Sequence, residues 1–503
     1  MIGFERKRSV QDTINSSLIG LSGELDQYQS NRLYEIKKAW NFYEGYHWEE
    51  MPEQDSPELT VNYCRAFVDK FVAFELGDAF TFIVPDSQKN GTKVTSDGRT
   101  LFEYLEDVWE DNNQYRFCVE MGQMKSVTSE AWVQVIYQPP EEVHDPFGEY
   151  PDGRLRIQLH PTSILFPEFD PKDKDRLLKL TMMYQYEKIV TTPILGKSQK
   201  KQVLYKQIWT DDEVHVIDDG IEETYPNKYG VIPFVRIKNL PLAGRSECRG
   251  DLDDLIPLNT EYNMKKSNVS EIIDYHSAPI TLVYGAKIGN LEKGANKVWG
   301  GLPKDGKVEN LHMEGDLTAS NNYITEMKFN MCEVGGIPEA CLGGSQAISN
   351  TSGVALQYVN LPLIEKTKIK RQCTEDGLEI LNKLIILVSM TEGLIFKPEN
   401  VSNRDFFKTE VEIPNTLPKD TLLELQQIQI EMQLRLESRK GAMKRLNRED
   451  IENYINEIDK DALAHPEAYS GQNGMPMMNS GMSNGETPQE ELNKAVNGEN
   501  VAE

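Results

Sequence analysis

The sequence predicts an α+β fold built in more than one domain, on three observations. The chain has 503 residues, too many for one small hydrophobic core. Strand-like runs rich in β-branched and aromatic residues dominate from about Phe80 to Lys238, with helical periodicity before and after them. Beyond them, two helical segments bracket a glycine-rich stretch.

Along the chain, Val10, Ile14, Leu18 and Leu21 recur at helical spacing, and Leu33, Ile36, Trp40 and Tyr43 form a second stripe that stops at Gly45. Asn62 to Glu75 reads as a helix ended by Gly77. One helix is expected near Leu101 to Val127. Strands are expected at Ala131–Tyr137, Leu155–Phe166, Leu180–Tyr186, Gln202–Trp209 and Val214–Ile217, separated by Pro, Gly and Asp clusters. A helix follows from about Asp253 to His276, with Pro257 tolerated in its first turn after an Asp cap and Ala278-Pro279 as its stop. Ile280–Val283 is a short strand in a small glycine-rich β module.

A second helix spans about Thr318–Val334, with Tyr323, Met327, Met331 and Val334 on one face. The run from Gly335 to Leu363 then carries Gly343-Gly344 and a polar loop, Ser345 to Ser352. It is longer than a simple turn between helices, and long ordered loops are usually functional. A third helix is expected from about Ser352 to Thr391, striped by Leu378, Leu381, Ile385 and Val388 and kinked at Pro362. Phe406–Ile413 reads as a strand, Leu422–Leu436 and Arg448–Ala464 as amphipathic helices, and the Gly-, Asn-, Ser- and Met-rich end as disordered.

Composition narrows the function. Net charge is −26, which argues against a protein that grips nucleic acid over its whole surface, because phosphate binding needs many lysines and arginines. No apolar run approaches the roughly 18 residues a membrane helix needs, and the N-terminus lacks the apolar core of a secretory signal. Six scattered cysteines with no C-x-x-C pair read as reduced thiols of a cytosolic chain, and scattered histidines give no metal pattern. No cofactor or metal is expected.

Gly289 to Lys297 fails as a phosphate loop, because Ala295 and Asn296 stand where Lys and Ser or Thr are required. Asp251, Asp253 and Asp254 read as the acidic start of a helix. No catalytic residue is expected. Two local exceptions to the acidity stand out: Lys287, Lys293, Lys297, Lys304 and Lys307 in the glycine-rich module, and Arg435, Arg439, Lys440, Lys444 and Arg445 further on. Each reads either as a solvated face or as a surface for an anionic partner. On residues alone, an enzyme with a lid at 337–352 stays open.

Several segments, in order, carry a resemblance. They are Tyr43-Glu-Gly45, Phe74-Glu-Leu-Gly77, Ile256-Pro-Leu-Asn-Thr-Glu-Tyr-Asn263, Gly336-Ile-Pro-Glu-Ala340 and Ser349-Asn-Thr-Ser-Gly-Val-Ala-Leu356. Together with the helices between them, over about residues 30–465, they resemble the portal proteins of tailed double-stranded DNA bacteriophages, the siphophage-like portal family. That resemblance implies a cyclic homo-oligomer of about twelve subunits at one capsid vertex, through which DNA is packaged and ejected, with another virion neck or connector ring protein as the alternative.

It implies a wing at 1–245, stem helices at 246–277 and 316–335, a clip at 278–315 and a tunnel loop at 336–352. A long kinked wing helix and strand would occupy 353–417, the crown helices 418–465, and a disordered acidic tail 466–503. Ser345, Gln346, Ser349, Asn350, Thr351 and Ser352 would face the DNA with neutral hydrogen-bonding groups. The clip lysines would dock the terminase large subunit and later the neck or head-tail adaptor. Other implied partners are the major capsid and scaffolding proteins, with no membrane. The implied location is the virion, and the host cytoplasm during assembly.

Overall fold

A computed structural model describes residues 25–48, 58–84, 92–191, 198–277, 281–284, 307–310, 317–343, 358–399, 401–414, 421–446 and 451–464. The chain divides into two compact units, Met1–Leu417 and Pro418–Glu503.

In the first unit, helices α1 (Gln27–Glu44) and α2 (Tyr63–Leu76) precede strand β1 (Thr81–Ile83). Then come α3 (Leu101–Asp111), α4 (Gln114–Thr128) and β2 (Glu130–Gln138). Strands β3 (Arg154–His160), β4 (Leu165–Phe169), β5 (Leu177–Thr191), β6 (Ser198–Trp209), β7 (Glu213–Asp218), β8 (Ile221–Pro226) and β9 (Phe234–Lys238) follow. Two short strands, β10 (Leu240–Pro241) and β11 (Cys248–Arg249), lead into α5 (Leu255–Ser277). After it lie β12 (Thr281–Tyr284), β13 (Lys307–Asn310), α6 (Thr318–Gly335), α7 (Leu361–Thr391), α8 (Asn403–Phe406) and β14 (Glu410–Glu412).

The strands build a three-stranded sheet, β3-β2-β9, and a five-stranded meander, β4-β5-β6-β7-β8, each antiparallel between neighbours. β12 and β13 pair as a separate antiparallel ladder. The largest core lies where the three-stranded sheet, α3 and α4 meet α7, whose Leu378, Leu381, Ile385 and Val388 are fully buried at helical spacing. A second core joins α1, α2, α5 and α6 through Phe67, Phe71, Leu255, Met327 and Met331. Helix α1 is also clamped to the sheet by charge. Arg32 donates to Glu130 at 2.8 Å and to the Leu165 carbonyl at 2.8 Å, and Arg236 grips the other oxygen of Glu130.

Several expectations change. The helix expected at Leu101–Val127 is two, because Asn112 ends α3 and Asn113 takes a left-handed conformation (φ 52°) while its side chain caps α4 by accepting from the Arg116 amide. Pro362 does not kink a helix interior. The described helix starts at Leu361, so the proline sits in the first turn, where its missing N–H leaves no bond unmade. The buried face of α6 is Ile324, Met327, Met331 and Cys332, whereas Tyr323 and Val334 are exposed. Phe406 ends a short helix and only Glu410–Glu412 is strand, paired with β1. Of the cysteines, Cys64, Cys118 and Cys332 are buried and Cys248, Cys341 and Cys373 are half-buried, all as free thiols.

The second unit contains α9 (Thr421–Gln433), α10 (Arg439–Arg445) and α11 (Ile451–Ala464). The short α10 was not foreseen. The stripe at Val10–Leu21 and the tail after 464 lie outside the described residues.

Candidate functional site

Four of the segments that carried the sequence resemblance, those at Tyr43, Phe74, Ile256 and Gly336, meet at the base of α5 and α6, and the fifth, Ser349–Leu356, lies outside the described residues. On α5, Asn259, Asn263 and Ser267 recur every four residues, so they form one polar stripe, and all three are fully buried. The stripe pairs with the extended backbone before α2. Asn259 accepts from the Tyr63 amide at 3.0 Å and donates to the Val61 carbonyl at 2.9 Å. Asn263 accepts from the Val61 amide at 3.0 Å, and the Ser267 hydroxyl accepts from the Leu59 amide at 3.1 Å.

Asn263 also donates to His47 Nδ1 at 2.7 Å, which leaves the proton of the neutral ring on Nε2, 2.9 Å from the Phe42 carbonyl. Burial holds the His47 ring below its usual pKa, consistent with that neutral form. The helix thus supplies the hydrogen bonds that a partner strand would otherwise give, and fixes α5 against the segment before α2.

One helical turn or two away lies a buried ionic cluster. Its members come from four places: Glu75 on α2, Lys125 and Ser126 on α4, Asp251 just before α5, and Lys366, Lys370 and Thr374 on α7. Lys125 is ion-paired with Glu75 and lies 2.6 Å from the Thr374 hydroxyl. Lys370 donates to Asp251 at 2.6 Å and Ser126 at 3.0 Å, and stands 3.4 Å from Glu75. The side chains of Glu75, Lys125, Asp251 and Lys370 expose nothing to solvent.

Lys366 completes the cluster. Its ammonium stands 3.3 Å from Asp251, donates to the Gly335 carbonyl at 3.1 Å and lies 4.1 Å from the centre of the Phe71 ring. A cation at the last carbonyls of α6 also suits the helix dipole. Gly335 itself must lack a side chain, because a Cβ there would fall 2.2 Å from the buried Phe67 ring.

Three ammonium groups share two carboxylates, and their protonation follows. Burial pushes the Asp251 carboxyl up, but Lys370 and Lys366 outweigh it and hold the group at about 2. Glu75 is lowered in the same way, against its burial, by Lys125 and Lys370. Burial lowers Lys370, yet Asp251 and Glu75 together raise it above the ordinary lysine value. For Lys125 and Lys366 burial prevails, helped by the like charge of Lys370, and both are lowered.

The sequence-derived candidates fare unevenly. Ser345, Gln346, Ser349, Asn350, Thr351 and Ser352 lie outside the described residues, as do Lys287, Lys293, Lys297 and Lys304. Lys307 opens β13, exposed and opposite Tyr284. Arg439 pairs with Asp459 at 2.5 Å, and Arg445 pairs with Glu431 and, at 3.5 Å, Glu437, so acids of the same unit partly neutralise that basic segment. Arg435 and Lys440 are exposed, and the side chain of Lys444 is outside the described set.

The aspartate reading is corrected. Asp251 is a buried ion-pair partner, whereas Asp253, which accepts from the Gly250 amide at 3.0 Å, and Asp254, paired with Arg249, are exposed acids beside the helix start. The cluster itself was missed, although Lys366, Lys370 and Thr374 at four-residue spacing gave a signal: a polar stripe on a helix with a strong apolar one. Among the described residues, no group of three or more His, Cys, Asp or Glu could hold a metal ion.

A family described as "Phage portal protein, SPP1 Gp6-like" matches residues 22–464. The chain belongs to that family. It is a portal protein in which the ionic cluster and the asparagine stripe fix the roots of α5 and α6. No curated protein matches it significantly. Among solved structures it is similar to a chain in the "Neck of empty GTA particle computed with C6 symmetry", at 10% identity and TM-score 0.41, covering 76% of this chain and 89% of that one. A chain in the "Virion of native gene transfer agent (GTA) particle" is similar at 8% identity and TM-score 0.37, covering 76% and 89%. One in the "Neck of native GTA particle computed with C12 symmetry" reaches 9% and 0.36, covering 76% and 88%. Assignment of this portal protein rests on the family match.

Neutralising Asp251 tests the cluster. Asp251→Asn leaves Lys370 and Lys366 buried against an uncharged amide, and a loss of about 3–5 kcal/mol is expected, read as a lower urea midpoint. The depressed carboxyls add stability above their unfolded pKa and lose it as pH falls through their folded values. The wild type should therefore lose this contribution between about pH 4 and pH 2, and Asp251→Asn should lose less across that window. Equal midpoints at neutral pH would mean that the cluster adds nothing net.

Proposed function

We propose that this portal protein assembles as a ring, of twelve subunits as the family resemblance implies, at one vertex of a phage capsid, and that DNA passes through its centre. The observation that carries the reading is the state of α5 and α6. Both are rooted in the ionic cluster and the asparagine stripe, yet they leave Ile272, Tyr323, Phe329 and Val334 exposed, with Phe329 at 55%. Apolar side chains so placed along two packed helices are what a head-to-tail neighbour would cover.

In this reading α5 and α6 are the stem, the β12–β13 ladder belongs to the clip, and the rest of the first unit, with its larger sheets, is the wing. The second unit, α9–α11, is the crown. The neutral groups of Ser345, Gln346, Ser349, Asn350, Thr351 and Ser352 would touch the DNA backbone weakly. A ring of lysines there would act as a brake, since each phosphate contact adds to a salt-dependent grip. Lys287, Lys293, Lys297, Lys304 and Lys307 would meet the packaging motor and then the neck adaptor. The crown basic patch, Arg435, Arg439, Lys440, Lys444 and Arg445, would face an anionic partner, with Arg439 and Arg445 partly neutralised by acids of their own unit. The family's role is structural, and no catalytic step is assigned.

Two outcomes test this. Phe329→Asp places a charge in the proposed interface and should shift sedimentation from rings to smaller species while leaving the helical circular dichroism unchanged. Rings at wild-type yield would remove α6 from the interface. Replacing Ser345–Asn350 by a short rigid linker should change the length of DNA packaged, read by gel after particle purification. Unchanged packaging and retention would take the loop out of contact with DNA.

A further inference from the structure

We propose that the loop joining β2 to β3 is a docking tip that seats Phe147 in an apolar pocket of another protein, a pocket rimmed by lysine or arginine. The inference concerns a surface that the channel reading does not use.

Phe147 is 84% exposed, the most exposed large apolar side chain among the described residues. Its loop is nonetheless tightly held. The carboxylate of Asp145 accepts from the backbone amides of Phe147 at 3.1 Å, Gly148 at 2.8 Å and Tyr150 at 2.7 Å. Gly148 takes the left-handed conformation (φ +74°) that lets the chain turn directly after the phenylalanine. The base is pinned as well. Tyr150 donates to Asp111 on α3 at 2.9 Å, and the Tyr137 hydroxyl donates to the Asp152 carbonyl at 3.0 Å. An aromatic ring fixed in water contributes nothing to the fold that presents it. Ordered in advance, it would lose little freedom on being buried by a partner, as interface anchors do.

Charge names the partner's chemistry. From Pro139 to Gly153 the chain carries Glu141, Glu142, Asp145, Glu149 and Asp152, with no lysine or arginine. Glu110 and Asp111 lie at the neighbouring end of α3. The nearest arginine is turned away: the Arg154 guanidinium lies 5.1 Å from the centre of the Tyr150 ring and donates to the Asp111 carbonyl. The field around Phe147 is therefore negative. Nucleic acid, anionic lipid and any acidic protein patch are repelled. A protein surface with an apolar pocket and a basic rim fits on both counts.

The test uses the full-length chain with photo-reactive benzoylphenylalanine at position 147, made in cells during production of the phage particles. Irradiation should join it to one other protein, at a segment with an excess of lysine and arginine. With that protein purified, Phe147→Ser should weaken binding at least tenfold. Glu142→Lys combined with Glu149→Lys should weaken it at low salt and flatten its salt dependence. Because Phe147 is solvent-exposed, the serine variant should fold as the wild type does, which circular dichroism checks. Adducts only with other copies of this chain, with lipid, or with an acidic segment would overturn the proposal. So would no adduct at all, or serine-variant binding equal to wild type.

Discussion

Buried charge is the constraint on which the base of the molecule depends. Glu75, Lys125, Asp251 and Lys370 are fully excluded from water, and each comes from a different stretch of chain. Such groups are tolerated only together, because any one left without its partners would keep an uncompensated charge in a low-dielectric site. The cluster therefore works as a condition: α2, α4, α7 and the approach to α5 must all be in place before any of them is settled there. Lys366 extends that condition to α6 through the Gly335 carbonyl. Both long helices of the α5–α6 pair are thus tied to the same five charges.

The asparagine stripe acts in the same region by a different means. Asn259, Asn263 and Ser267 satisfy the backbone around Leu59–Cys64, a stretch with no strand partner of its own. A leucine in any of these places would bury better by area but would strand backbone amides, and an unmet buried donor costs more than a methyl group gains. With the roots fixed this way, the remainder of α5 and α6 can carry exposed apolar side chains without loss of position. Assembly with neighbours would supply the burial that one chain lacks.

Much of the framework could be read from the sequence where burial alone decides it. Leu378, Leu381, Ile385 and Val388 announced the core face of α7, and the β-branched and aromatic run at 131–137 announced the central strand β2. Boundaries set by single side chains were harder. Asn113 can end one helix and cap the next, and nothing in the periodicity separates those roles from a helical interior. Pro362 reads equally as a kink or as a first turn until the start of the helix is known. β8, Ile221–Pro226, exposes every residue and so carries no alternation, and β9, Phe234–Lys238, is too short to show any.

The site was less legible than the fold. Lysines and aspartates read as solvent-facing by default, and partners in this cluster stand as far as 299 residues apart in sequence. Only their helical spacing hinted that they face inward. Imaging the purified protein end-on by cryo-electron microscopy tests the central claim most directly, that the exposed faces of α5 and α6 are closed by copies of the same chain. The account predicts closed rings with a central opening wide enough for duplex DNA and with α5 and α6 of each subunit against its neighbours. Monomers or compact dimers that persist across salt conditions would contradict it.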